Sequence, residues 1–195
     1  MDLLPGLMLA VFGLLLRLLL PGAVSAMWTD SSPVNPLPKG AVMISNATLN
    51  PVAVYECAVR NSSSTSYVAG ALAFERSWRC MYFDPASPNQ LSFKGPGQYQ
   101  VYTDPFNHAK GVQATAAKPF PAGTIVPLFT AYKYATGCQT TYTEVIGGFP
   151  YSFPAYGTGM PDSSGNFVCR AASFKLHVEG RYVSGSPPYQ IAIDR

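Results

Sequence analysis

The sequence predicts an all-β fold of short antiparallel strands, and three observations carry that prediction. Beyond the first 26 residues, apolar side chains alternate along the chain and do not recur at helical spacing. Gly, Pro, Ser, Asn and Asp cluster at short intervals, as turns do. The chain also holds 12 Tyr and 11 Phe against 13 basic and 10 acidic residues, a composition suited to a pleated, half-buried surface. No window after the N-terminal segment offers an amphipathic helix.

Taken in order, residues 27–37 are Ser- and Pro-containing without periodicity and are expected as a loose leader. The stretch from Val52 to Val59 is the clearest strand. It sets Val52, Val54, Glu56 and Ala58 on one face and Tyr55, Cys57 and Val59 on the other. Ser77–Phe83, Gln98–Tyr102, Thr124–Tyr134 (broken at Pro127), Thr140–Ile146, Asn166–Ala172, Phe174–Val178 and Tyr189–Ile193 read as further strands. Between them, Pro85–Pro88, Gly95-Pro96-Gly97, Gly147-Gly148, Gly157–Gly165 and Gly185–Pro188 read as turns. Two halves share a scheme of turn, Cys-bearing strand, turn and Tyr-x-apolar strand. One runs from Pro38-Lys39-Gly40-Ala41-Val42 through Cys57 to Gln98–Tyr102. The other runs from Asp162–Gly165 through Cys169 to Tyr189–Ile193. Two related β repeats are therefore expected over 38–103 and 157–193, within one compact β domain of 38–195 whose middle segment matches neither.

The N-terminus sets the compartment. Leu3–Leu20 is a leucine-rich run broken only by Pro5, Gly6, Gly13 and Arg17, and Val24-Ser25-Ala26 places small residues where signal peptidase needs them. Residues 1–26 are thus expected to be a cleaved signal peptide. The alternative is a retained anchor, since Asp2 is the only charge before the run. Arg17 and the prolines suit a permanent span poorly, and no later stretch is apolar enough to cross a bilayer, so no stable membrane span is expected after cleavage.

In an oxidising compartment the four cysteines, Cys57, Cys80, Cys138 and Cys169, read as two disulfides, in one of three connectivities. Their spacing fits neither a zinc site nor a redox dithiol, so no metal and no cofactor is expected. Asn46-Ala47-Thr48 and Asn61-Ser62-Ser63 are acceptor tripeptides for N-glycosylation at Asn46 and Asn61. The formal net charge is +3 and the basic residues are scattered. That excludes a nucleic-acid surface, which needs clustered cations.

Chemistry finds little support. His108 lies in a polar turn, and His177 alternates with apolar neighbours and shares a face with Lys175. No nucleophile elbow, phosphate loop or metal motif accompanies them, and Asp84, Asp104, Glu144, Asp162 and Glu179 are isolated in sequence. No catalytic residue is assigned and no enzyme is expected. For binding, aromatic platforms with nearby polar groups are available at Trp78, Tyr82, Asp84, Tyr156, Asp162, Asn166 and Arg181.

Val168-Cys169-Arg170-Ala171, after a Gly-containing turn and followed by Glu179-Gly180-Arg181, resembles the DM-nine repeat of secreted proteins and natterin-like toxins. Lys39-Gly40-Ala41-Val42, Tyr55-Glu56-Cys57, Arg79-Cys80-Met81-Tyr82 and Tyr99-Gln100-Val101 carry the likeness in the first half. Arg181 stands where that family has a turn lysine, and Glu179 where it has a proline. The resemblance implies a β fold of paired repeats, used in several members as a sugar-recognising lectin in innate defence. The aerolysin-type module of some relatives is not expected here. A glycan is the expected partner. The alternative is a secreted structural or signalling glycoprotein that binds an extracellular protein, and a homo-oligomer is compatible with either.

Overall fold

A computed structural model describes residues 26–45, 53–61, 65–74, 76–84, 91–114, 122–127, 135–162, 164–172, 183–185 and 189–194. These residues build two antiparallel sheets and no helix. The all-β fold is thus observed. The first sheet holds β1 (Met27–Asp30), β2 (Met43–Ser45), β3 (Val54–Arg60), β4 (Tyr67–Phe74), β5 (Trp78–Phe83), β6 (Leu91–Lys94) and β7 (Gln100–Thr103). The second holds β8 (Lys110–Ala114), β9 (Thr136–Ile146), β10 (Phe149–Pro161), β11 (Phe167–Ala172), β12 (Val183–Gly185) and β13 (Tyr189–Ile193).

The two sheets follow one plan. Their strand orders are β1-β7-β3-β4-β5-β6 and β8-β13-β9-β10-β11-β12, a four-strand meander with the last strand of the half returning beside the first meander strand. Register agrees as well. Ala58 faces Gln100 as Gln139 faces Gln190, Cys57 faces Gly70 as Cys138 faces Gly157, and Leu72 faces Cys80 as Gly159 faces Cys169. Gly40 (φ 83) and Gly123 (φ 80) each accept a hydrogen bond from the amide after the last strand of the half, Asp104 and Asp194. In this register Gln100 and Gln190 stand at matching positions of their sheets. The strands of the second sheet run from Lys110 to Ile193, and Gly123 stands to Asp194 as Gly40 stands to Asp104.

Several local expectations change. Residues 27–37 are no loose leader: β1 pairs with β7, Trp28 meets Tyr102 edge-on at 5.3 Å, and the buried Ser31 hydroxyl donates to the Tyr99 carbonyl at 2.7 Å. Tyr99 in turn donates its hydroxyl to the Pro36 carbonyl at 2.9 Å, which anchors the remainder. Residues 157–161 belong to β10 and not to a turn; the turn is confined to 162–166. Within 122–127 only a single bridge forms, Thr124 to Ile193, so no strand starts at Thr124. The signal segment before residue 26, the rest of Thr124–Tyr134 beyond 127, and Phe174–Val178 lie outside the described residues.

The disulfides are Cys57–Cys80 and Cys138–Cys169, with Cα atoms 6.0 and 5.9 Å apart. Each joins the two strands flanking a central one, β3 to β5 across β4 and β9 to β11 across β10. Strands two places apart in a flat sheet are separated by about 9.5 Å, so both sheets must curl over the central strand. Gly70 and Gly157 allow it. A methyl on either would overlap the carbonyl oxygen of the next strand, that of Met81 or Arg170. Each curled sheet encloses its own small core on the disulfide side. In the first sheet this core includes Val59, Val68, Leu72, Tyr82 and Val101; in the second it includes Ala155, Phe167, Tyr189 and Ile191.

A third core joins the halves. Val42, Ile44, Val54, Ala71 and Met81 of the first pack on Ile125, Tyr156 and Ala192 of the second. Thr158 clips the sheets together, its buried hydroxyl donating to Ala69 O at 2.6 Å and accepting from Phe83 N at 3.1 Å. Replacing Cys138 and Cys169 together by serine is expected to cost about 2–4 kcal/mol, read as a lower urea midpoint. The Cys57/Cys80 pair should match it within about 0.3 kcal/mol on loop entropy, because the sequence separations are 31 and 23. A far larger gap between the two double variants would show that one bridge carries native-state strain.

Candidate functional site

The open end of the β3–β6 meander forms a groove of about 430 Å³, lined by Arg60, Asn61, Val68, Tyr82, Asp84, Leu91, Ser92, Phe93 and Lys94. Its walls follow from strand register. β3 runs out at Arg60, and the Asn61 amide donates to Ser66 O at 2.9 Å, which turns the chain into β4. Across β5 and β6, Tyr82 faces Ser92, Phe83 faces Leu91, Met81 faces Phe93 and Cys80 faces Lys94. Cross-strand partners share a face. Tyr82 and Ser92 therefore stand side by side, and their side chains hydrogen-bond.

The groove mixes an apolar floor with charged and polar walls. Val68 is buried and Leu91 half-buried; Phe93, opposite Met81 and so on the other face of β6 from Ser92, is 54% exposed with the Arg79 guanidinium 4.9 Å from its ring centroid. Burial, and after it the carboxylate of Asp84, raises the pKa of Tyr82, only partly offset by the Ser92 hydrogen bond. Its phenol therefore remains a proton donor throughout the physiological range. Arg60 and Lys94 add fixed donors, Asp84 an acceptor, and Ser92 and Asn61 groups able to play either part. Such a set suits a ligand bearing several hydroxyls and one apolar face.

Of the residues singled out from the sequence, Tyr82 and Asp84 meet here, with the glycosylation candidate Asn61 beside them. Trp78 lies at the other end of β5, edge-on to Tyr55 at 5.9 Å and Phe74 at 5.4 Å. Tyr156 does not face a ligand: it is 1% exposed, held between the sheets because β10 crosses the first sheet at that point. Asp162 closes the β10–β11 turn, accepting from the amides of Ser164 at 2.8 Å and Asn166 at 2.9 Å. Asn166 is exposed in the same turn. Those two are thus explained by local turn geometry, and neither lines the groove. Arg181 and Asn46 lie outside the described residues.

Sequence reasoning missed Arg60, Phe93 and Lys94. Their one local signal was weak, a cation closing an apolar strand at Arg60 and alternation in the short run Leu91–Lys94. It also missed Glu56, which is fully buried where the halves meet. Its Oε1 accepts from Gly137 N at 2.6 Å and from the Thr136 hydroxyl at 3.3 Å. Desolvation raises its pKa from 4.5 to about 8, against the opposing effect of those two hydrogen bonds. Sealed from solvent, Glu56 serves the interior of the fold. Compared with protein-family models, with curated proteins and with solved structures, the chain matches none.

Proposed function

We propose that this protein is a secreted recognition protein that binds a carbohydrate in the groove between β3 and β6. The observation that carries the proposal is the convergence of Tyr82 and Asp84 with Arg60, Ser92 and Lys94 around one concave site. Sugars present hydroxyl groups in a ring with an apolar face, and a neutral phenol, fixed cations and a carboxylate beside the apolar Val68 answer both features. The resemblance to DM-nine repeats points to the same ligand class. Two disulfides, and the lack of a helix long and apolar enough to cross a membrane among the described residues, are compatible with an extracellular protein. The apolar segment at residues 3–20 supports secretion.

Asn61 lines the groove, so a glycan attached there would stand at its mouth, and the test uses enzymatically deglycosylated protein. On a glycan array, binding competed by free sugar is expected. Asp84→Ala and Tyr82→Phe should each weaken it by roughly tenfold, the loss of one well-placed contact. Silence across the array, or variants that bind like the parent, would overturn the assignment. One observation favours a protein ligand as second reading: Phe74 is 51% exposed beside Trp78 and Tyr55, an aromatic patch of the kind that anchors protein interfaces. A sugar-insensitive complex lost in Phe74→Ala would select it.

A further inference from the structure

Among the described residues the longest strands, β9 and β10, extend past the strands paired with them. Beyond Gln139 no residue of β9 pairs with β13, and before Tyr156 no residue of β10 pairs with β11. Seven pairs, from Thr140 with Ala155 to Ile146 with Phe149, therefore have no third strand among the described residues, and the outer six, from Thr141 with Pro154 onward, form a two-stranded arm. At about 3.4 Å per residue the arm is roughly 20 Å long. It ends in Gly147-Gly148, with φ of 61° and 88°. A two-residue turn of the type favoured in hairpins needs positive φ at both places, and glycine supplies it without strain.

The arm's side chains change character along its length. Near the base, Thr143 and Ser152 face each other and hydrogen-bond at 3.2 Å. At the tip both faces are apolar, Val145 with Pro150 on one and Ile146 with Phe149 on the other. Val145 is 68% and Phe149 69% exposed. From Val145 to Pro161 the sequence holds no charged residue. A flat docking surface buries one face and leaves the other in water, whereas a tip apolar on both faces is suited to a medium that surrounds it. Tyr151, the next residue on the Phe149 face, is half-exposed and carries the apolar-body, polar-tip chemistry found at lipid headgroups.

We propose that the tip of the β9–β10 arm, residues 145–150, inserts into the interfacial layer of a lipid bilayer. Two residue pairs and the turn reach about 10 Å, the depth of interfacial burial. Insertion stops there, because the open strand edges carry backbone groups that the hydrocarbon interior cannot satisfy. The tip has no Lys or Arg and the nearest charge is Glu144, so zwitterionic lipid suffices and salt has little effect.

The test is flotation of the purified protein with phosphatidylcholine vesicles. Co-flotation insensitive to added salt is expected. Phe149→Asp should lower the bound fraction at least about tenfold, as expected from removing one buried phenylalanine and adding a charge. Val34→Asp, at a site 94% exposed and outside the arm, should float like the parent and controls for surface charge. Phe149→Trp should show a blue-shifted emission on adding vesicles. No flotation of the parent, or flotation of Phe149→Asp equal to it, overturns the proposal. A concentration-dependent dimer lost in Phe149→Asp, without vesicle binding, overturns it in favour of a second copy. Glycan binding at the groove is unaffected by any of these outcomes.

Discussion

Replacing Glu56 by glutamine is expected to make the protein more stable than the parent at about pH 9 while leaving the two alike at about pH 4. Glu56 titrates near 8 in the folded chain against 4.5 for an ordinary glutamate, because burial disfavours its charged form more than its two hydrogen bonds favour it. Below 4.5 the carboxyl is protonated in both states and has no effect on folding. Between 4.5 and 8 the folded state holds a proton that the unfolded state releases, so stability falls as pH rises, and above 8 the loss is complete. The span corresponds to a loss on the order of 5 kcal/mol, a large share of a typical domain's total. Glutamine keeps an acceptor for Gly137 N and does not titrate. Urea midpoints measured across pH should therefore slope downward for the parent and flatten in Glu56→Gln. Parallel curves would show that Glu56 does not bury its charge.

The second large effect is expected at Gly137. A methyl there would overlap the carbonyl oxygen of Gly70 and stand 2.8 Å from both Glu56 Oε2 and Ile44 Cδ1. The side chains could adjust; the carbonyl belongs to the backbone of β4, in the middle of the first sheet, and moves only if the sheet does. Gly137→Ala should cost about 3 kcal/mol or more, at the upper end of ordinary overpacking. Combining it with Glu56→Gln should not restore stability, because the carbonyl clash is untouched. Rescue by the second substitution would mean that Glu56, and not Gly70, sets the spacing of the halves.

Much of the architecture could be read from residue order, and the failures have physical causes. Tyr189–Ile193 and Trp78–Phe83 were legible because β-branched and aromatic residues run between clear turns. β4 was missed although it is central. Val68-Ala69-Gly70-Ala71-Leu72-Ala73 is buried on both faces and so does not alternate, and its small residues carry little strand preference. The C-terminal part of β10 was read as a turn because Gly157 and Gly159 look like punctuation. Packing explains them instead, since a methyl on Gly159 would overlap the Phe167 ring. The groove was half-legible. Tyr82 and Asp84 sit next to a Pro-rich turn and drew notice, whereas Arg60 and Lys94 reach them only through the β3-β4-β5-β6 register, which no local window encodes.

Glu56 and Gly137 occupy matching places in the two halves, one residue before Cys57 and Cys138, and they touch. This contact makes the pairing of the halves directional. Two first halves brought together would set two Glu56 side chains where there is room for one, and two second halves would leave a hole lined by two glycines. Only the unlike pair fills the space and gives the acid the Gly137 amide. When chains crowd one another during folding, a half that borrows its twin from a neighbour finds a poor fit, so this one mismatch guards against exchange between like halves of separate molecules.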